Sequence, residues 1–471
     1  MAQAGIGSRL PAAAFAGLAG VARRDVTPPP GIRTRNWGPA VTDVADGVHR
    51  PLTLTALALA SQDEAAAPLV LIAVDGTWWR RVADERRMRT AVLGGLGLPE
   101  DRLLVALSHT HAGPVLCADD TGLDGGALVP AYLDRLAAAA VDAGREAVAA
   151  LEPAVLDWAT GRCALAADRE LDLAGRAVVG ANPAAAADDT VLAGRLTAAR
   201  DGRVLGTVVN YACHPTTLAW QNRLVSPDYV GAMRETVEAA TDAPCLFLQG
   251  ASGELAPAEQ YTGDVAVADR HGAALGHAVL SALAGLPPAG TALTLTEVVE
   301  SGAPLAVWQP RPSAPSPVLA ARSSDAELPV RPLPTWAELE REWAGIDPRS
   351  RDERLRRARH LREGYLDGGA TVAHPVWAWR LGDALLVAHP GEAYSRLQRD
   401  LRARFPGRPV LVLNLTNGPG FVYLPTADAY DRGAYQSWQT PLAAGALELL
   451  TTHAGAMLDE LTEEPTEEPR P

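Results

Sequence analysis

Cysteine is scarce: four residues in 471, with no Cys-x-x-Cys pair. Cys117, Cys163, Cys213 and Cys245 are spaced too widely for a disulfide framework or a structural zinc knuckle. They read as free thiols at packing positions in a reducing compartment. No run of about 18 apolar residues occurs, so no membrane-spanning helix is expected. Basic charge is in deficit. Lys and Arg total 42 against 56 Asp and Glu, a formal net charge of −14. That balance argues against a nucleic-acid partner and against stable membrane association, since both favour a basic face. The segment from Pro11 to Val21 superficially resembles a weak signal peptide. Arg23-Arg24 and Val26-Thr27-Pro28-Pro29 follow at once, so it reads instead as the opening strand of the fold, and a cytoplasmic location is expected.

What is present describes a globular chain, with 48% apolar and 21% charged residues. Gly (43) and Pro (37) predict many turns. Residues 17–30 read as a short strand ending in a Pro run. Residues 52–60 and 68–75 are apolar runs separated by Gln62-Asp63-Glu64, which predicts a hairpin. Residues 80–95 and 130–151 have helical spacing, and 103–107 (LLVAL) form a buried strand. Strands are expected at 204–212, 245–249, 384–388 and 409–415. Helices are expected after Ser226-Pro227, with Ser226 as N-cap, and near 264–285 and 392–404. The Pro-rich stretch 303–335 predicts a long loop or edge strand, a possible lid, and 336–364 two short solvent-facing helices. Alternating strands and helices with some hairpins give an α/β class of mixed sheets with flanking helices. A single catalytic domain is expected over 1–457, followed by an acidic disordered tail at 458–471.

The chemistry concentrates just past apolar strands. In Ser108-His109-Thr110-His111 two imidazoles follow a buried strand, and strand alternation would place both on one face. Such a pair suits a metal site or a proton relay, the alternative being two structural histidines with polar partners. His214, in Cys213-His214-Pro215, repeats the pattern. The other seven histidines, His389 among them, read mostly as surface or capping residues. Glu392, in His389-Pro390-Gly391-Glu392, reads on its own as an acidic residue at a helix N-terminus.

Together these segments resemble the neutral/alkaline (non-lysosomal) ceramidases and their shorter bacterial relatives. The resemblance is carried by residues 21–29 and 47–52, Ser108-His109-Thr110-His111-Ala112-Gly113-Pro114, Asn210-Tyr211-Ala212-Cys213-His214-Pro215-Thr216, Pro390-Gly391-Glu392 and Tyr423-Leu424-Pro425-Thr426. Tyr435 follows Tyr423 at the spacing of a second family tyrosine. The resemblance implies a Zn²⁺ site held by His109, His214, Glu392 and Tyr423, with a position left for water or a substrate oxygen. It also implies His111 as proton handler, and Arg169 and Tyr435 as stabilisers of a developing oxyanion.

The ceramide-cleaving members carry Asn-x-Gly-Asp-Val-Ser-Pro, whose serine has been given a catalytic role. Here that run is Gln249-Gly250-Ala251-Ser252-Gly253-Glu254-Leu255-Ala256-Pro257, with Ala256 at the serine position and Glu254 at the aspartate. No C-terminal immunoglobulin-like domain like that of full-length ceramidases is expected, and aromatics are only 5%. The expected substrate is therefore a small, soluble N-acyl compound, cleaved at its amide by a zinc-dependent hydrolase. An esterase, lactonase or acyltransferase on the same site, and a zinc-binding protein without turnover, are the alternatives.

Overall fold

The computed structural model describes residues 5–62, 66–418 and 422–463. Its centre is an eight-stranded sheet of β1 (Ala14–Asp25), β2 (Thr53–Ala60), β3 (Leu69–Val74), β4 (Leu103–Leu107), β5 (Glu152–Arg162), β6 (Thr190–Ala198), β7 (Val204–Tyr211) and β8 (Cys245–Gln249), in the order β8-β7-β6-β5-β1-β2-β3-β4. The outermost pairs, β3 with β4 and β7 with β8, are parallel, and the inner pairs are antiparallel. The expected hairpin of 52–60 and 68–75 is present as β2 and β3, while Asp63 and Glu64 of its turn lie outside the described residues.

A second sheet holds β9 (Leu319–Pro329), β10 (Thr371–Leu381), β11 (Ala384–Ala388) and β12 (Val410–Leu413) in sequence order. The two sheets pack face to face. Leu69, Leu71 and Ala73 of β3 meet a core shared with Trp377, Trp379, Leu386 and Leu411 of the second sheet. Their neighbours Val70, Ile72 and Val74 face helices α1 (Val82–Leu96) and α2 (Val129–Ala149). A strand buried on both faces has no polar side to show, which is why β3 reads as an unbroken apolar run. Helices α3 (Tyr229–Thr241) and α4 (Val265–Ala284) cover the other half of the first sheet. α5 (Trp336–Glu342) and α6 (Pro348–Gly364) follow, and α7 (Arg396–Arg404) and α8 (Ala446–Thr462) pack outside the second sheet. The layers run helix, sheet, sheet, helix.

Several expectations need correction. Of the two readings of 303–335, the edge strand holds and the single long loop does not: Pro304–Pro312 pairs with Thr291–Glu300, and β9 is the edge of the second sheet. Ser226 does not cap α3. Asp228 does, at φ 56°, accepting from its own neighbour Tyr229, while Ser226 Oγ accepts from Asp228 N. The tail expected from 458 is helical as far as Thr462 because Leu458 and Leu461 are buried against the core; residues 464–471 lie outside the described residues. All four cysteines are buried free thiols, and burial pushes Cys117 up to about 11 and Cys245 up to about 12. Among the described residues no helix is long and apolar enough to cross a membrane.

Candidate metal centre and active site

The edge strands β4 and β8 are laced together by residues 414–417, which leave β12. Asn414 N donates to Gln249 O (3.0 Å), Leu107 N to Leu415 O (3.2 Å) and Asn417 N to Val105 O (3.1 Å). This brings the carboxyl ends of β4, β7, β8 and β11 to one place, where open α/β sheets present their functional groups.

His109 follows β4 and is buried at φ 68°, a conformation that costs a non-glycine residue about 1–3 kcal/mol and is found at functional sites. β4 ends at Leu107, so this left-handed turn, and not strand alternation, brings His111 Nε2 within 3.4 Å of His109 Nε2. His214 follows β7. Glu392 follows β11 but begins no helix: it lies in the two-residue strand Glu392–Ala393, which pairs in parallel with Tyr423–Leu424, Glu392 opposite Tyr423. A Cβ on Gly391 would lie 2.4 Å from Leu424 Cδ1 and 2.9 Å from Val422 O, so only glycine fits beside that bridge.

His109, His214 and Glu392 offer ligand atoms within 4.8 Å of one another, and all three are buried. His109 Nδ1 lies 3.0 Å from Thr77 O, and His214 Nδ1 lies 2.7 Å from Ser252 O and 3.1 Å from Leu255 O. A carbonyl only accepts, so both imidazoles carry their proton on Nδ1 and present a lone pair at Nε2. Those lone pairs face the same carboxylate oxygen: Glu392 Oε2 is 3.3 Å from His109 Nε2 and 3.0 Å from His214 Nε2. Burial with nearby Arg169 pushes His214 down to about 3. Three buried acceptors aimed at one point fit a divalent cation.

Arg169 is wholly buried, not a surface residue. Its Nη2 donates to Gly253 O (2.7 Å) and lies 3.1 Å from His214 Nε2 and 3.3 Å from the Tyr423 hydroxyl. Tyr423 thus stands one guanidinium away from the three acceptors. The ring of Tyr435 packs on that of Tyr423 (5.9 Å between centroids), and its hydroxyl accepts from Gln439. His111 is half-buried between the rings of Trp37 and Trp78, each 5.0 Å away, and its Nδ1 has no hydrogen-bond partner among the described residues. Burial and the neighbouring His109 push His111 well below the usual imidazole range. Trp37, Trp220 and Tyr261 form an aromatic rim above it. Ala256 is buried in the strand Leu255–Pro257 and offers no hydroxyl.

The sequence reading missed the rim tryptophans, the carbonyls of Thr77, Ser252 and Gly253, and Arg357, whose guanidinium lies 5.5 Å from the Trp78 ring centroid. The one available signal was the excess of Trp (11) over Phe (4). His389 and His374 are also buried, not surface residues. Tyr365 donates to His374 Nδ1 (2.8 Å), and His374 Nε2 donates to His389 Nδ1 (3.2 Å). His389 Nε2 donates to Asn414 Oδ1 (2.9 Å), and Asn414 Nδ2 donates to Ala393 O (3.1 Å). This one-directional chain ends beside Glu392.

Two solved structures resemble the chain over 98% of its length. One is described as a ceramidase complexed with C2 (TM-score 0.66, 15% identity), the other as a neutral ceramidase from Pseudomonas aeruginosa (TM-score 0.66, 17% identity); each match covers 77% of the other chain. No protein-family model matches the sequence, and no curated protein matches it. The chain has a ceramidase-like fold.

Proposed function

We propose that the protein is a zinc-dependent hydrolase that cleaves the amide bond of a small N-acyl compound. The observation that carries this reading is the convergence of two proton-free Nε2 atoms and one carboxylate oxygen in a buried site. Nitrogen and oxygen donors of this kind suit Zn²⁺, and the ceramidase-like fold supports amide chemistry. His109, His214 and Glu392, with Tyr423 beside them, would hold the zinc, which would polarise the carbonyl and acidify the attacking water.

The chain's own residues do the rest. His111, whose Nε2 lies 3.4 Å from His109 Nε2, takes the proton from water as its oxygen bonds the carbonyl carbon. It returns that proton to the nitrogen as the C–N bond breaks, so acid and amine leave. Arg169, fixed by Gly253 O, faces the position where negative charge develops on the carbonyl oxygen, with Tyr435 on the same side. The rim of Trp37, Trp220 and Tyr261 holds the apolar acyl part and keeps bulk water out.

His111→Ala tests the division of roles. The variant is expected to keep its zinc, read by mass spectrometry, and to lose about 10²- to 10⁴-fold in turnover of an N-acyl amide. Loss of the metal would make His111 a ligand, and unchanged turnover would remove it from the reaction.

A further inference from the structure

We propose that the cavity between the helix pair α5–α6 and the segment Trp438–Pro441 is a subsite for a carboxylate on the substrate. The proposal rests on the amide-hydrolase reading and narrows its substrate to an anionic N-acyl compound.

The cavity is about 80 Å³ and is lined by Arg331, Arg354, Arg357, Arg362, Trp343 and Trp438 among others, with no Asp or Glu in its wall among the described residues. Among the described residues none of the four arginines has a carboxylate within 4.0 Å. Several arginines elsewhere are paired: Arg234 with Asp75, Arg402 with Asp188, and Arg33 and Arg35 with Asp43. Acids are not in short supply, since they outnumber the basic residues by 56 to 42, and all 42 of those are arginine. Four half-buried guanidinium groups around one cavity, none with a carboxylate partner in so acidic a chain, make a positive site that an anion would fill.

The wall has the form of a carboxylate cradle. Arg354 stacks on Trp438 (5.1 Å) and Trp343 (5.7 Å), and Arg357 on Trp78 (5.5 Å). Stacking fixes the guanidinium planes and leaves their N–H edges for bidentate bonding. Arg331 and Arg362 are each tied to a backbone carbonyl, Trp438 O (2.8 Å) and Pro334 O (2.6 Å). Burial pushes both below the usual guanidinium range. Glu353 and Glu392 are the carboxylates whose field reaches Arg357 most strongly, and neither pairs with it. The space exceeds what one water needs and admits a carboxylate.

The cavity also adjoins the metal centre. Trp438 packs on Tyr435 (5.3 Å), and Tyr435 on Tyr423 (5.9 Å). Arg357 lines the cavity and stacks on Trp78, whose ring contacts both His109 (5.9 Å) and His111 (5.0 Å). A substrate with its amide at the acceptor cluster and a chain long enough to pass this layer of rings would place its carboxylate among the arginines.

The test uses two pairs of probes that differ only in charge. N-octanoylglycine and N-octanoylglycinamide place the group on the amine half; N-octylsuccinamic acid and N-octylsuccinamide place it on the acyl half. Calorimetric Kd and kcat/KM are measured for the zinc-loaded protein, Arg357→Gln, Arg354→Gln and Arg357→Lys. One acid is expected to be preferred over its own amide by about 10- to 100-fold, as for a hydrogen-bonded charge. Either Gln variant should cut that preference at least tenfold, and Arg357→Lys should retain part of it. Equal affinity for acids and amides, or a preference that survives both Gln variants, would overturn the subsite. An acid that binds with this preference but is not hydrolysed would leave the subsite standing and contradict the amidase reading alone.

Discussion

At the distance between His214 Nε2 and Glu392 Oε2, 3.0 Å, two acceptors call for a positive group, and Arg169 Nη2, 3.1 Å from His214 Nε2, supplies one from one side. Ser252 O and Leu255 O force that situation by holding the imidazole proton on the far nitrogen. Glu254, in the same turn, is also buried. Burial pushes it up to about 8, against which the Ser395 hydroxyl and amide act. A carboxyl raised from 4.5 favours the folded state fully below pH 4.5, and that contribution is lost as pH climbs through 8. Glu254→Gln should therefore gain stability relative to the parent between pH 5 and pH 9 in thermal melts; a difference independent of pH would show that Glu254 is charged when folded. Individual site residues were legible to different degrees. His109 and His214 stood out because each follows an apolar strand. Glu392 reads alone as a helix-start acid and took its meaning from the family resemblance. Arg357 and Trp78 carry no local mark, because their role arises only when α6 packs over the β4 turn.

Elements, and not loops alone, deliver these groups. Each of the three acceptors hangs from the carboxyl end of a strand, and the Glu392–Tyr423 bridge ties the β11 and β12 exits together. The chain from Tyr365 through His374, His389 and Asn414 to Ala393 O makes that bridge rigid. Asn414→Leu should weaken zinc about 10- to 100-fold while the fold is retained, since it touches no acceptor directly. Competition with a chelator measures this; unchanged affinity would reduce the chain to packing. Elements with continuous apolar runs, such as β3, β4, β8 and β11, were readable because both faces are buried. Residues 291–329 were not. Their strands Thr291–Glu300 and Pro304–Pro312 end in exposed residues, and prolines at their margins imitate a loop.

At the scale of the whole molecule, the four-layer arrangement explains how residues 109, 214 and 392 meet although nearly 300 positions separate the first and last. The mixed sheet class could be read from the alternation of strands and helices; the stacking of a second sheet on the first could not, because nothing local to β10 says which face Trp377 and Trp379 will meet. The fold is ceramidase-like, and arginines without a carboxylate partner line a cavity whose wall stacks on the rings around the centre. A zinc titration of chelator-treated protein, followed by turnover of N-octanoylglycine and N-octylsuccinamic acid, tests the central claim most directly. The rate should rise to a plateau at one equivalent of zinc per chain, and His214→Ala should show no such rise. Full turnover in the chelated protein, or an unaltered titration in His214→Ala, would contradict it.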